Sequence, residues 1–167
     1  MEDYNREDIL DRDGMIRYFA YGNNMCVKSM ALKCPSAIML GVSKLVNHRF
    51  IINEEGMVTV IPKAASTVFG ILWLLNETDE TALDRDKRIP EGPYIKSIRE
   101  IETVKGKTTK AMTYVSTNFM YGLPGHGYID EILINATKHH LPKPYVAEIK
   151  KWAKAENRSD KDEPAFP

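Results

Sequence analysis

Tyr18-Phe19-Ala20-Tyr21-Gly22-Asn23-Asn24-Met25 reads as a short aromatic strand that runs directly into a tight loop. Tyr18, Phe19 and Tyr21 suit a pleated, half-buried surface. Gly22 supplies backbone freedom, and Asn23 and Asn24 tolerate left-handed dihedrals that other side chains avoid. A loop of this kind turns several backbone N–H groups the same way. Such a nest holds a carboxylate or phosphate without a charged side chain, because small residues let the ligand approach the main chain. Met25 to Leu32 has helix-compatible spacing and ends before Cys34-Pro35. A helix starting directly behind the loop would add its dipole to the same anion site.

Outward from this stretch, Met15-Ile16-Arg17 opens the first strand, and residues 1–14 read as a flexible acidic extension or a marginal helix, with little to bury beyond Ile9 and Leu10. Ala37–Leu45 and His48–Asn53 follow as strands. Glu54-Glu55-Gly56 reads as a hairpin turn into Met57–Ile61, and Pro62–Ser66 as a loop. Val68–Leu75 is the most apolar run and is expected as a central strand buried on both faces. Asn76 or Thr78 can cap a helix from Asp79 to about Lys87, ended by Pro90 and Gly92. Tyr94–Val104 and Thr108–Ser116 form an antiparallel pair about Lys105-Gly106-Lys107, with Ile95, Ile98 and Ile101 as inward candidates.

Beyond a glycine- and proline-bearing loop, Tyr128–His139 places Ile129, Ile132, Leu133 and Ala136 on one helix face. Tyr145–Ala155 is a second helix with Val146, Ile149 and Trp152 inward, and residues 156–167 read as a disordered tail. Strands dominate the first two thirds and helices the last. The fold class is therefore α+β, a small mixed or antiparallel β-barrel flanked by helices, in one domain over residues 15–155.

The 23 basic and 23 acidic residues cancel, so no global field favours nucleic acid or an anionic membrane, and neither is expected as a partner. Recognition must be local; the expected partner is a small molecule with a glutamyl or similar carboxylate group, and the expected state a monomer or homodimer. Cys26 and Cys34 form neither a CxxC pair nor a disulfide framework, and the acidic N-terminus is no signal peptide; a cytoplasmic setting is expected. The four histidines have no metal-ligand spacing, and no P-loop, GxSxG or dinucleotide motif is present, so neither metal nor cofactor is expected. Cys26 reads as a buried hydrophobe rather than a nucleophile. His126, between two glycines, is a titratable group near the prospective site or a solvated loop residue.

The aromatic strand and its loop resemble the Tyr-Gly-Ser-Asn signature of the γ-glutamylcyclotransferase, or AIG2-like, family. Leu83-Asp84 and Gly92-Pro93-Tyr94 look like the ends of that family's Leu-Asp-x-x-Glu-Gly-to-Tyr segment. Tyr114–Asn118 looks like its late strand, and Pro124 through Tyr128 to Leu141-Pro142 and Tyr145 is similar to its closing segment. The resemblance implies a lyase in which the α-amine of a γ-glutamyl amide attacks its own γ-carbonyl, giving 5-oxoproline and releasing an amine or amino acid. It implies substrate binding by Tyr21, Gly22, Asn23 and Asn24, with Tyr94 and Tyr128 near the pocket.

The proton-transfer position departs from the family. With the flanking motifs in register, Lys87 occupies the place of the family glutamate and Arg88 that of the following glycine. A protonated lysine cannot accept a proton, so Lys87 serves as a base only with a lowered pKa. Alternatively Glu91-Gly92 supplies the carboxylate by slippage, a displacement of about 6 Å along a helix. Asn23 replaces the family serine, and Asn135 stands where glycine is common. Both an enzyme using Lys87 or Glu91 and an altered member that binds an amino acid or acyl-amine ligand remain open.

Overall fold

The computed structural model describes residues 4–123 and 128–154. Five strands, β1 (Ile16–Ala20), β2 (Ile38–Ile52), β3 (Val58–Leu75), β4 (Tyr94–Thr103) and β5 (Thr108–Ser116), close into a barrel in the order β1-β3-β2-β4-β5. Four neighbour pairs are antiparallel, and the barrel closes where β1 lies parallel to β5, at Tyr18 beside Met112. Helices α1 (Val27–Lys33), α2 (Glu77–Asp86), α3 (Tyr128–Lys138) and α4 (Lys143–Lys154) pack around it. The sequence expectation of a small mixed barrel flanked by helices holds. No described helix is long and apolar enough to cross a membrane.

The apolar run ending in Leu75 is central, as its composition requires: β3 pairs with β1 on one side and β2 on the other, and Ile71, Leu72, Trp73, Leu74 and Leu75 are all buried. Gly70 sets where β1 stops. A Cβ there would lie 2.3 Å from the Ala20 carbonyl oxygen, so only glycine lets the chain leave the barrel between Ala20 and Tyr21. Asn76 caps α2 through its side-chain oxygen, which accepts from the Asp79 N–H at 2.8 Å.

Several sequence expectations need correction. The two strands expected over residues 37–53 are one, bent by bulges at Met39/Gly41 and Val46/His48. The expected Pro62–Ser66 loop is an excursion inside β3: Val46 pairs with Thr67 and His48 with Pro62, leaving residues 63–66 opposite Asn47. Proline has no N–H for a ladder, and a bulge accommodates it. Ile95 is 45% exposed, whereas Ile101 is fully buried and Ile98 partly so. Helix α4 begins at Lys143, two residues earlier than expected, because Pro144 is tolerated in a first turn. The tail read over residues 156–167 lies outside the described residues.

Residues 4–14, read as flexible, are docked in two 3-10 turns, Arg6–Ile9 and Arg12–Gly14. Ile9 is completely buried in the core. Arg17 donates to the carbonyls of Leu10 (2.9 Å) and Asp8 (3.0 Å) and to the Asp11 carboxylate (2.9 Å). Arg6 pairs with Glu80, and Tyr4 donates to the same carboxylate at 3.3 Å. Composition missed this because one isoleucine and one arginine suffice: the first supplies burial, the second satisfies backbone carbonyls that would otherwise compete for water.

Ile9→Ala is expected to cost about 2 kcal/mol or more, as a cavity-forming truncation does. Deleting residues 1–10 should then lower the melting temperature by several degrees, at roughly 2–4 °C per kcal/mol for a chain of this size. Burial pushes the Glu80 carboxyl up, but hydrogen bonds from Lys96 and Arg6 outweigh it and hold the group below its ordinary range. Its stabilisation is therefore present above the unfolded glutamate pKa and lost as pH falls through the folded value. Thermal melts of the full and shortened chains between neutral and acidic pH should show the gap narrowing on acidification; coincident melts at neutral pH would show that the segment contributes nothing.

Candidate functional site

The strand-to-loop stretch, the end of α2 and the starts of β4 and α3 meet at one end of the barrel. There a narrow cavity is lined by Tyr18, Tyr21, Gly22, Asn23, Asn24, Val58, Lys87, Tyr94, Thr113, Tyr114 and Tyr128. The structure thus brings together every residue that the sequence singled out for this site except Glu91. Glu91 is exposed on the turn after α2 and does not line the cavity. That turn holds Arg88 at φ 55° and is closed by the Gly92 N–H donating to the Arg88 carbonyl. A one-turn slippage placing Glu91 in the cavity is therefore not what the chain adopts.

The loop differs from its expected conformation. Gly22 has φ −121°, and neither asparagine is left-handed; Asn23–Met25 form a 3-10 turn instead. Helix α1 starts only at Val27 and is seven residues long, so no helix dipole begins directly behind the loop. The Met25 N–H donates to the Gly22 carbonyl and the Cys26 N–H to that of Asn23, each at 3.1 Å. The amides of Gly22, Asn23 and Asn24 bond to no described residue, as first-turn amides commonly do not. A Cβ on Gly22 would meet Val58 Cγ2 at 3.2 Å, close enough that the valine side chain must give way by a few tenths of an ångström.

The tyrosines are fixed by partners. Tyr21 donates to the Tyr114 carbonyl (2.5 Å), Tyr94 to the Val58 carbonyl (2.7 Å) and Tyr114 to Asp84 Oδ1 (2.7 Å), while Tyr18 accepts from Asn24 Nδ2 (3.0 Å). The Tyr18 and Tyr114 rings meet edge to face at 5.7 Å. Burial is the main cause that raises the pKa of Tyr18, Tyr21, Tyr94, Tyr114 and Tyr128, so all are neutral phenols. Asn23 Oδ1 is buried and has no partner among the described residues.

Lys87 caps the C-terminus of α2, with Nζ 4.9 Å from the Tyr94 ring centroid. Burial depresses its pKa and nearby Lys33 adds to this, while Asp86 opposes. Lys33 itself is tied to Asn24 Oδ1 (3.2 Å) and to Asp86 (3.3 Å). No carboxylate lines the cavity among the described residues.

Sequence reasoning missed Val58, Thr113, Tyr114 and the packing role of Asp84. Tyr114 and Asp84 lay in plain view inside family-like motifs, but their pairing joins residues 30 positions apart, which no local pattern displays. His126 lies outside the described residues. Cys26 is half-buried and lines an adjoining groove, which shares Asn23 with the cavity, together with Ser29, Glu131, Asn135 and Lys138; Asn135 is buried, its side-chain amide donating to the Glu131 carbonyl at 2.9 Å.

The chain matches the AIG2-like family over residues 67–149. It is similar to the gamma-glutamylcyclotransferase of Bos taurus, 26% identical over 156 residues that span 87% of this chain and 83% of that protein. To the gamma-glutamylcyclotransferase of Homo sapiens it is 25% identical over 143 residues, 80% of this chain and 76% of that one. A solved structure of a gamma-glutamyl cyclotransferase superposes with a TM-score of 0.74 at 25% identity, over 81% of this chain and 86% of the other.

Gly22→Ala should disturb the loop through Val58 and weaken binding of glutamate; Gly22→Val should do so more strongly, because overpacking of this kind costs about 1–3 kcal/mol. Val58→Ala makes room for the added carbon, so it should suppress the Gly22→Ala defect. Calorimetric titration with glutamate decides the matter, and an additive double variant would show that the two side chains do not meet.

Proposed function

We propose, from a chain that is AIG2-like and γ-glutamylcyclotransferase-like in sequence and fold, that this protein cyclises a γ-glutamyl amine or peptide to 5-oxoproline and releases the amine or amino acid. The observation that carries the reading is the position of Lys87. Its amine stands on the cavity wall where the family resemblance calls for a base, and it is the one titratable lining side chain other than tyrosine among the described residues. Burial supplies the lowered pKa that a lysine base requires.

In this mechanism the free amides of Gly22, Asn23 and Asn24 receive the substrate α-carboxylate. Neutral Lys87 takes a proton from the α-ammonium. The freed amine attacks the γ-carbonyl carbon, forming the ring C–N bond. Collapse of the tetrahedral adduct breaks the amide C–N bond: the Lys87 ammonium returns its proton to the leaving nitrogen, the ring nitrogen gives up its second proton to the same amine, and the products are the lactam N–H and a departing ammonium. No external nucleophile or cofactor enters the balance. Holding amine and carbonyl together in one narrow cavity turns the attack into a favoured intramolecular step. We further place the enzyme in the cytoplasm, consistent with two free cysteines.

A second reading is favoured by the distance of Lys87 Nζ from the Tyr94 ring. At 4.9 Å from the centroid a lysine gains from its positive charge. An ammonium there would hold a second carboxylate, and the protein would bind an amino acid or acyl-amine ligand without turning it over.

A panel of γ-glutamyl amines and γ-glutamyl amino acids, assayed for 5-oxoproline, separates the two. If Lys87 is the base, Lys87→Ala should lose on the order of 10²- to 10⁴-fold in rate and Glu91→Gln almost nothing. The wild-type rate should rise with pH as the lysine loses its proton, with a midpoint below that of an ordinary lysine. A wild type that binds glutamate but releases no product from any member of the panel would establish the second reading. Activity lost in Glu91→Gln and kept in Lys87→Ala would refute the assignment of the base.

A further inference from the structure

The cavity presents a chemical problem. Its substrate carries an α-ammonium, yet no described lining residue is a carboxylate, and the one strong base on the wall is itself a cation before it loses its proton. Acceptors for the ammonium must come from neutral oxygens, and the direction of each tyrosine proton decides which oxygens are available.

Three lining hydroxyls donate to protein acceptors, Tyr21 and Tyr94 to backbone carbonyls, and Tyr114 is the one whose acceptor is a side chain. It donates to Asp84 Oδ1 at 2.7 Å, and an ionised carboxylate can only accept, so the phenol proton points away from the cavity. The other carboxylate oxygen, Asp84 Oδ2, accepts from Lys96 Nζ at 3.1 Å, which stops the group turning. Lys96 also pairs with Oε2 of the buried Glu80, the oxygen that accepts from Tyr4 as well, while Arg6 pairs with Oε1. Asp84 does not line the cavity; Tyr114 does. With its proton committed, the Tyr114 oxygen keeps lone pairs for a donor, while its ring is wedged edge to face against Tyr18.

We propose that Asp84 is a positioning residue that fixes the Tyr114 hydroxyl as a hydrogen-bond acceptor for the substrate's α-amine, with Lys96 holding the carboxylate in place. The assignment rests on the reading of the cavity as a γ-glutamyl site, but it is a statement about recognition and does not require turnover. In the cycle above, Tyr114 holds the amine before and after Lys87 removes the proton; Asp84 acts only through Tyr114. The N-terminal segment then matters to the site as well as to stability, since Arg6 and Tyr4 complete the chain of charges that ends at Asp84.

Asp84→Asn tests the direction of the bond. Lys96 can only donate, so it selects the oxygen of the substituted amide and leaves the NH2 facing Tyr114. Tyr114 must then accept from it and turn its own proton toward the cavity, changing an acceptor into a donor. Tyr114→Phe removes the oxygen while keeping the ring, and it serves if Asp84→Asn does not fold. The probes are glutamate and glutarate, which share both carboxylates and differ by the amine. The wild type should bind glutamate roughly tenfold or more tighter than glutarate, the range of a charge-assisted hydrogen bond. Asp84→Asn and Tyr114→Phe should each abolish most of that preference while leaving glutarate affinity within about twofold.

A merely structural role would weaken both ligands together, and that result would overturn the proposal. So would a preference for glutamate that survives in Tyr114→Phe, or a wild type that binds the two ligands equally or binds neither. Because neither probe is turned over, the outcome is independent of whether 5-oxoproline is ever formed. A preference lost in the variants of a protein that makes no product would uphold this assignment and refute the cyclisation.

Discussion

The pairing of β1 between β3 and β5 is the constraint on which the remainder of the molecule depends. The other four strands form one antiparallel sheet, and a sheet with an aromatic strand at neither edge would leave both edges open. Five residues, Ile16–Ala20, close it: they lie antiparallel to the buried end of β3 and parallel to β5 at Tyr18. The same pairing determines the site. Gly70 admits the Ala20 carbonyl so closely that the chain must leave the barrel there, and the next four residues form the loop over the cavity.

Charge is distributed in two layers around this cavity. The lining layer is neutral apart from Lys87: five tyrosines, two asparagines, a threonine, a valine and a glycine. The acids stand one layer behind. Asp84 meets the hydroxyl of Tyr114, Asp86 meets Lys33, and Glu80 meets Lys96 and Arg6. Burial is the largest influence on the lysine amine and lowers its pKa; Asp86 opposes it and Lys33 adds to it. A carboxylate moved from the second layer into the first would raise the lysine pKa.

Much of the barrel was legible in the chain. The hairpin at Glu54-Glu55-Gly56, the antiparallel pair about Lys105-Gly106-Lys107 and the buried run ending at Leu75 are local features, carried by turn residues and strand periodicity. The docking of residues 4–14 was not, because it depends on one isoleucine finding a gap in a core built by strands far away. Pro62 misled for a related reason: it reads as a breaker locally, and only the long partner strand β2 lets the ladder resume on its far side.

For the site, the sequence alone determined which residues supply the loop and the flanking tyrosines, since Tyr21 to Asn24, Tyr94 and Tyr128 are identifiable from short motifs and do line one cavity. It also determined that a cation stands where the resemblance calls for an acid. Choosing between Lys87 and Glu91 needed the tertiary structure, because four residues of chain separate them and only the turn at Arg88 decides which one faces inward. The tertiary structure alone also decided that Asp84 accepts from Tyr114 and that a side chain at Gly22 would press on Val58. Backbone preferences and spacing act over a few residues, whereas the direction of a tyrosine proton and the pKa of a lysine are set by neighbours that folding brings from distant strands.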